Sequence, residues 1–183
     1  MKRLADKRWH WLAFGVIAIA VIVVDQLSKA FIDANFELAS VHPLPGGTAP
    51  TNVIGDLVRI AKSYNDGGIF GLFGNSAVIL AISSLAVIGL IVVYEWREGG
   101  RSWLLTLALG LLLGGAIGNF IDRIRFGWVI DFVDMGIGDK RFFTFNVADS
   151  AISIALLLLI ILALFHERLT RGRHSPAQEA SHS

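Results

Sequence analysis

Two aspartates in the second half of the chain, Asp131 and Asp149, are the residues best suited to catalysis. Asp131 lies within the apolar run at residues 128–133, and Asp149 comes just before an apolar stretch at residues 151–165. A carboxylate beside a membrane-length apolar segment is energetically costly, so such residues usually have a function. A pair of carboxylates can shuttle protons during hydrolysis, which predicts cleavage of a substrate that is held in a membrane.

The surroundings of the two aspartates predict opposite protonation states. Asp149 is expected near a helix N-terminus, where the helix dipole favours the ionised carboxylate. Asp131 is surrounded by apolar residues, and desolvation there favours the neutral acid. Two such acids in contact would share one proton, so that one activates water while the other protonates a peptide carbonyl. Their separation of 18 positions shows no contact, so an N-cap aspartate and an unrelated loop acid remain an alternative.

The third apolar stretch carries polar residues that share a helix face. Gly115, Asn119 and Arg123 are spaced i, i+4 and i+8, and Asp122 lies close to the same face. The amide of Asn119 can bind a peptide backbone, and Arg123 supplies a fixed cation. The glycine is equally typical of close helix packing in membranes.

Two further pairs have both a structural and a functional interpretation. Asp25 and Lys29, spaced i, i+4, predict either an interfacial ion pair or a brace for the catalytic residues. Asn65 and Gly67 lie in a turn-rich segment, where glycine permits unusual backbone angles. Turn formation and substrate contact explain this second pair equally well.

Composition argues against several other chemistries. The chain contains no cysteine, which excludes disulfides, thiolate catalysis and cysteine-based metal sites. Its formal net charge of +1 gives no strong attraction to nucleic acid. No His-Glu-x-x-His motif is present, and of the five histidines only His42 is expected on the same side of the membrane as the aspartates. We predict no cofactor and no metal, with one alternative, a metal bound by Asp122, Asp131, Asp134 and Asp149.

Four apolar stretches account for the hydrophobic content of 54% and the mean hydropathy of +0.62. A signal peptide is an alternative for the first stretch, but no small-residue cleavage site follows it.

We expect a single domain at residues 1–168 and a disordered cytoplasmic tail at residues 169–183. Since a membrane-spanning helix needs about 20 residues, the expected spans are approximately residues 11–31, 76–95, 103–121 and 149–166.

The segments between these spans predict a small sheet. Residues 56–62 mix apolar and polar side chains as a half-buried strand does, and β-prone runs at 128–133 and 142–145 flank a turn at 136–140. We therefore predict a membrane protein, mainly α, with four transmembrane helices and a small extracytoplasmic β-sheet. Nine Lys and Arg residues lie on the side of the chain ends, against six in the other two loops. This bias predicts cytoplasmic termini and an active site on the extracytoplasmic side.

The same residues form motifs that resemble the lipoprotein signal peptidases (signal peptidase II), a family of bacterial membrane aspartyl proteases. Five motifs occur in the order of that family along nearly the whole chain, and together with four spans they are highly specific. The motifs are Asp25-Gln-Leu-Ser-Lys29, Asn65-Asp-Gly67, Gly118-Asn119-Phe-Ile-Asp122-Arg123 preceded by Gly115, Val129-Ile-Asp131-Phe, and Phe145-Asn146-Val-Ala-Asp149-Ser.

The resemblance implies a role for each motif. Asp131 and Asp149 would be the catalytic aspartates, and Asp25 and Lys29 would support them. The implied substrate is a prolipoprotein that carries a diacylglyceryl-cysteine, cut just before that cysteine at the bacterial inner membrane, with membrane lipid as a further contact. The implied inhibitor is the cyclic peptide globomycin. The residues that would line the substrate and inhibitor site are Asn65, Gly67, Gly115, Asn119, Asp122, Arg123 and Asn146.

Two segments depart from the family pattern. Residues 65–70 read Asn-Asp-Gly-Gly-Ile-Phe in place of Asn-x-Gly-Ala-Ala-Phe, and the first outer loop around His42 is slightly extended. Both departures are expected to alter inhibitor fit or the behaviour of a lid. Neither changes the two aspartates.

Two other functions also use polar residues in a membrane. A proton- or ion-coupled transporter usually contains repeats or broken central helices, whereas the acids here cluster on one side. A metal-dependent lipid phosphotransferase would fit the spacing of Asp131 and Asp134. Sensitivity to a chelator would distinguish that enzyme from an aspartyl protease.

Overall fold

The computed structural model describes residues 2–39, 48–67, 76–100 and 102–171. The extended loop around His42, the departure from the family pattern after Gly67 and the expected tail beyond Arg171 lie outside the described residues. Within the described ranges the elements are α1 (Lys2–Asn35), β1 (Thr51–Ile54), β2 (Val58–Asn65), α2 (Ser76–Glu98), α3 (Trp103–Phe126), β3 (Val129–Ile137), β4 (Lys140–Arg141) and α4 (Val147–Arg171).

All four helices are long and apolar enough to cross a membrane, which confirms the predicted fold class. Each expected span lies within one helix, and α4 continues to Arg171, past the expected start of the tail at residue 169. α3 is the central helix, because 56% of an 18-residue apolar segment in it is buried, against 17% of the corresponding segment in each of the other three helices. These segments lie within Lys7–Asn35, Val78–Glu98, Trp103–Phe126 and Val147–Phe165.

Glycines allow α3 to lie close to its neighbours. A β-carbon on Gly114 would lie 2.6 Å from Cβ of Val21 and 2.8 Å from the main-chain oxygen of Ala18, both on α1. Helices in lipid associate largely through such close packing of small residues. The buried apolar residues around this contact are Phe14, Ala18, Ile91, Leu109, Leu113 and Ala116.

The strands form one antiparallel sheet in the order β1-β2-β3-β4. The register of the central pair places Ser63 opposite Asp131 and Asn65 opposite Val129. The strand predicted at residues 56–62 therefore exists, but it begins at Val58 and continues to Asn65. This extension brings Asn65 beside β3.

The strand predicted at residues 142–145 is wrong. The second strand of this hairpin is β4, at Lys140–Arg141, and Phe145 forms only an isolated bridge with Val133. Aromatic residues favour strands, but Phe142 and Phe143 are 66% and 87% exposed and cover no sheet face. β1 was not predicted, because its four residues are all exposed and lack an alternating pattern.

A buried carboxylate fixes the far end of the sheet. Asp134 is 0% exposed, and its oxygens lie 2.6 Å from Nη2 of Arg59 and 2.9 Å from Nε of Arg141. Burial alone would raise the pKa of Asp134, but the hydrogen bonds from both arginines outweigh it and hold the pKa below its usual value. The sheet is tied to α1 by Lys62, whose Nζ lies 2.7 Å from Oδ1 of Asp33.

Gly114→Ala should destabilise the helix bundle, because the added methyl group would push α1 away from α3. Overpacking of this kind costs about 1–3 kcal/mol, and thermal unfolding in detergent, followed by tryptophan fluorescence, measures it. Gly89→Ala is the matched control, since a β-carbon there meets nothing within 4 Å. A Gly114→Ala variant that melts at or above the temperature of the control would contradict this packing.

Candidate active site

Asp131 lies at a buried position in β3, with an amide donor directed at each carboxylate oxygen. Its exposure is 1%. Nδ2 of Asn146 donates to Oδ1 at 2.7 Å, and Nδ2 of Asn65 donates to Oδ2 at 3.0 Å. The structure therefore brings together three of the residues predicted for the site.

Asp149 is the third residue of α4, and the residue before the helix caps it. Oδ1 of Asn146 accepts a hydrogen bond from the main-chain nitrogen of Asp149 at 2.9 Å, and Oδ2 of Asp149 accepts one from the main-chain nitrogen of Asn146 at 3.2 Å. This reciprocal pair is a capping box. The alternative that Asp149 is the N-cap is therefore wrong, because Asn146 has that role.

Two asparagines join the aspartates into one hydrogen-bonded network. Besides its bond to Asp131, Nδ2 of Asn146 donates to Oδ1 of Asn119 at 3.2 Å. Nδ2 of Asn119 in turn donates to Oδ1 of Asp149 at 2.7 Å. Both acids thus lie in one site, which the sequence alone left open.

Burial raises the pKa of Asp131 to about 7. The hydrogen bond from Asn65 opposes this shift, the negative charge of Asp149 adds to it, and the hydrogen bond from Asn146 opposes it again. Asp131 therefore exchanges a proton near neutral pH.

A buried ion cluster supports Asn119 from the other side. Lys29 is 2% exposed, and its Nζ donates to Oδ1 of Asn119 at 3.0 Å. The same nitrogen lies 2.8 Å from Oδ2 of Asp25 and 2.8 Å from Oδ2 of Asp122. Oδ1 of Asp25 also accepts a hydrogen bond from the main-chain nitrogen of Ala148 at 2.9 Å, which helps to cap α4. The geometry fits the predicted brace.

Two residues expected to line the substrate site face other parts of the protein. Asp122 is 1% exposed and is held by Lys29 and by Nε2 of Gln26 at 2.9 Å. A β-carbon on Gly115 would lie 2.5 Å from the main-chain oxygen of Ala148, so this glycine permits close packing of α3 and α4. Substrate contact by Asp122 and Gly115 stays a prediction. The role of Gln26 was missed, because no spacing pattern marks a partner 96 residues away.

The remaining predicted residues lie close to the two acids. Nη1 of Arg123 donates to the main-chain oxygen of Asn119 at 3.4 Å, and its charge interacts with Asp149 and Asp131. Gly67 has a φ of 71°, and its nitrogen donates to Oδ1 of Asn65 at 2.8 Å. This turn directs the amide nitrogen of Asn65 toward Asp131.

The acids considered as alternative metal ligands do not converge. Asp122 is paired with Lys29, and Asp134 is held by Arg59 and Arg141. In the part of the chain that the structure describes, no three His, Asp or Glu side chains form a group suited to a metal ion.

Comparison with known proteins gives concordant similarities. A family described as "Signal peptidase (SPase) II" (Peptidase_A8) matches residues 17–165. A lipoprotein signal peptidase of Coxiella burnetii (strain RSA 331 / Henzerling II) is 38% identical over 161 residues, which are 86% of this chain and 91% of the relative. One from Lactobacillus gasseri is 32% identical over 159 residues, 87% of this chain and 96% of that relative. A solved structure is described as a bacterial membrane enzyme, obtained by the in meso method at 1.9 Å resolution. Its sequence is 29% identical and its TM-score is 0.72. The match covers 81% of this chain and 90% of that one.

The raised pKa of Asp131 should appear in the pH dependence of stability. Its folded-state pKa of about 7 lies above the unfolded value of 3.8, so the stabilisation is full below about pH 4 and is lost as the pH rises through about 7. Asp131→Asn removes the titrating group. Wild type should therefore lose melting temperature relative to this variant between pH 4 and pH 8.

The matched control is Asp139→Asn, which removes an exposed acid from the turn between β3 and β4. Melting temperatures of the three proteins, recorded in one detergent across this pH range, make the comparison. A difference between wild type and Asp131→Asn that stays constant with pH would show that Asp131 has no raised pKa.

Proposed function

Because the chain belongs to the signal peptidase II family, it is an aspartic endopeptidase that removes signal peptides from prolipoproteins, and we propose that Asp131 and Asp149 are its catalytic pair. The observation that supports this assignment is the shared network in which Asn146 and Asn119 join the two carboxylates. Asp25 and Asp122 are also joined by an amide donor, Nε2 of Gln26, but both of these acids are paired with Lys29. The family and its relatives are described as signal peptidases, which favours peptide hydrolysis over the transporter and the metal-dependent lipid phosphotransferase.

The two acids are suited to different steps of peptide hydrolysis. Asp149 lies in the first turn of α4 and accepts two hydrogen bonds, which favours its ionised form. It would take a proton from water as the water oxygen attacks the scissile carbonyl carbon. Buried Asp131 would hold a proton and donate it to the carbonyl oxygen.

Collapse of the resulting tetrahedral intermediate completes the reaction. The carbon–nitrogen bond breaks, and the proton that Asp149 took from water passes to the leaving amine. The proton that Asp131 gave to the carbonyl oxygen returns to it as the new carboxylic acid forms. Each turnover thus consumes one water molecule and restores both carboxyl groups.

The exposure of the neighbouring residues divides them into two roles. Asn65 is exposed and Arg123 is half-buried, so both can reach a bound peptide. Asn119 and Asn146 are buried, with exposures of 6% and 0%, and they orient the acids. Gly67 acts by fixing the turn that orients Asn65. Cyclic peptides of the globomycin type would occupy the same site as the substrate.

The position of the pair suits a substrate that is partly held in lipid. Asp149 lies at the start of α4, and Arg123 lies in the last turn of α3, so the site is near one end of two membrane helices. A diacylglyceryl-cysteine could keep its acyl chains in the bilayer while the peptide bond before it reaches the acids. This geometry favours cleavage just before the modified cysteine.

The protein is a multi-pass membrane protein of bacteria. We infer that both termini are cytoplasmic and that the sheet and the aspartate pair lie on the extracytoplasmic side of the inner membrane. Four membrane helices put both ends of the chain on one side. The larger number of Lys and Arg residues on that side supports a cytoplasmic location for it.

Asp131→Asn and Asp149→Asn should each lower kcat by about 10²–10⁴-fold, because each removes one proton-transfer group while keeping the side-chain shape. The measurement is release of signal peptide from a purified diacylglyceryl-modified prolipoprotein in detergent, with a chelator present. Asp139→Asn, at an exposed turn, should keep full activity. Melting curves establish that each variant is folded.

Full activity in either variant would remove that residue from the mechanism. Loss of wild-type activity on adding the chelator would contradict a reaction that needs only the two carboxyl groups.

A further inference from the structure

We propose that a cavity between the ends of α1 and α3 binds the headgroup of a membrane phospholipid that carries both a phosphate and a primary amine. The guanidinium group of Arg125 holds the phosphate, and the carboxylate of Asp33 holds the ammonium group. Neither Asp131 nor Asp149 lines this cavity, so its ligand is distinct from the substrate and the inference does not depend on the proposed function.

The cavity has a volume of about 200 Å³, which leaves room for several water-sized groups. Its walls are the C-terminal part of α1, the end of α3 and the start of β3. Two basic residues, Lys29 and Arg125, and two acidic residues, Asp33 and Asp122, line it. Because their formal charges cancel, the cavity suits a headgroup without net charge better than it suits a lone phosphate.

Two of these four charged residues are already engaged by the protein. The ammonium group of Lys29 lies 2.8 Å from Asp25, 3.0 Å from Asn119 and 2.8 Å from Asp122, which uses its three donors. Oδ1 of Asp122 accepts a hydrogen bond from Nε2 of Gln26, and Oδ2 pairs with Lys29. A ligand in the cavity therefore meets the other two charged side chains, Arg125 and Asp33.

Arg125 presents free donors to the cavity. It is exposed, and its guanidinium carbon lies 4.8 Å from the centre of the Phe126 ring. This cation–π contact holds the group by its face, so that the N–H groups at its edge remain available. In the part of the chain that the structure describes, no carboxylate forms an ion pair with Arg125. Arginine binds phosphate oxygens through two parallel hydrogen bonds.

Asp33 presents a free acceptor to the same cavity. Its Oδ1 lies 2.7 Å from Nζ of Lys62 and accepts a hydrogen bond from the hydroxyl of Tyr64 at 3.2 Å. Its Oδ2 has no hydrogen-bond partner among the described residues, and the side chain is 44% exposed. An ammonium group only donates hydrogen bonds, so a primary amine fits this oxygen.

The cavity lies at the depth of lipid headgroups. α3 has 24 residues, so it is about 36 Å long, and the hydrocarbon core of a bilayer is about 30 Å thick. Arg125 and Phe126, the last two residues of α3, therefore lie beyond the hydrocarbon core. Trp128 follows, 38% exposed and stacked on Phe126 with ring centres 6.4 Å apart. Such aromatic residues are typical of the interface between membrane and water.

An exposed apolar face of α1 connects the cavity with the bilayer. Val23, Leu27 and Ala30 are spaced i, i+4 and i+7, so they share one face of the helix. Val23 and Leu27 are 47% and 66% exposed, and Ala30 is exposed and lines the cavity. An acyl chain along this face continues directly from a headgroup in the cavity. The site therefore fits a phospholipid better than a soluble phosphate ester.

Arg125→Gln should weaken the binding of phosphatidylethanolamine and phosphatidylglycerol alike about tenfold, because a charge-assisted hydrogen bond to the phosphate is lost. The measurement is a lipid titration of the full chain in detergent, with bound lipid counted by native mass spectrometry. Arg97→Gln is the matched control, since Arg97 is an exposed arginine in the last turn of α2, at the opposite end of the bundle. This control should keep both wild-type affinities.

Wild type should bind phosphatidylethanolamine about fivefold more tightly than phosphatidylglycerol, which has no ammonium group, and Asp33→Asn should abolish this preference. The variant should weaken only phosphatidylethanolamine, because asparagine keeps an oxygen for Lys62 and Tyr64 but carries no charge. Asp139→Asn, at the exposed turn, should keep the wild-type preference. Melting curves establish that each variant is folded.

Several results would overturn the site. These are unchanged affinities in Arg125→Gln, a wild-type preference for phosphatidylglycerol, or an Asp33→Asn variant that loses both lipids equally. Glycerophosphoethanolamine, which lacks acyl chains, should not displace the lipid at the same concentration. Displacement would show that the cavity takes a soluble phosphate ester and would overturn the lipid as its ligand. No prolipoprotein is present in these titrations, so a failure of the proposed peptidase activity is detected separately.

Discussion

The pairing of the buried ammonium group of Lys29 is the interaction on which the geometry of the candidate active site depends. An ammonium group only donates hydrogen bonds, so each neighbour must present an oxygen to it. Asn119 therefore turns its carbonyl oxygen toward Lys29, which leaves its amide nitrogen to donate to Asp149. A buried cation is tolerated only when it is paired, and loss of one partner typically costs about 3–5 kcal/mol. Asp25 and Asp122 supply that pairing, and in doing so they hold α1 against α3 and α4.

Asn146 is oriented in the same way and links Asp149 to Asp131 by hydrogen bonds. Its side-chain oxygen caps α4 by accepting a hydrogen bond from the main chain of Asp149, so its amide nitrogen is directed at Asp131. Each amide is thus oriented by a neighbour that can only donate a hydrogen bond. This neighbour is the ammonium group of Lys29 for Asn119, and the main-chain N–H of Asp149 for Asn146. This keeps two carboxyl groups in one site even though their like charges repel.

The sequence predicts the identity of the site residues better than their contacts. Local arguments select Asp131 and Asp149 as candidates, since an apolar run and a helix start are both visible in the chain. They could not find the contact of Asn65 with Asp131, which depends on a register that shifts between Ile60 and Ser63. Likewise, spacing puts Asn119 and Arg123 on one helix face with Asp122 close to it, but which neighbours each residue meets depends on how the helices pack. Asp134 suggested a metal ligand three residues from Asp131, yet residues three apart in a strand point to opposite faces.

The pairing of Lys29 with Asp25 also bears on how the protein enters the membrane. A lone charge costs up to about 2.5–3.5 kcal/mol on insertion scales, the value for the centre of a membrane helix. Asp25 lies one turn before Lys29 on the same helix, 2.8 Å from it, so the two charges enter the bilayer as a neutral pair before α3 has been synthesised. Asp122 then meets a cation that is already in place when α3 follows. The charges are therefore paired in the order in which their residues are synthesised. α1 provides the surface against which α3 then docks.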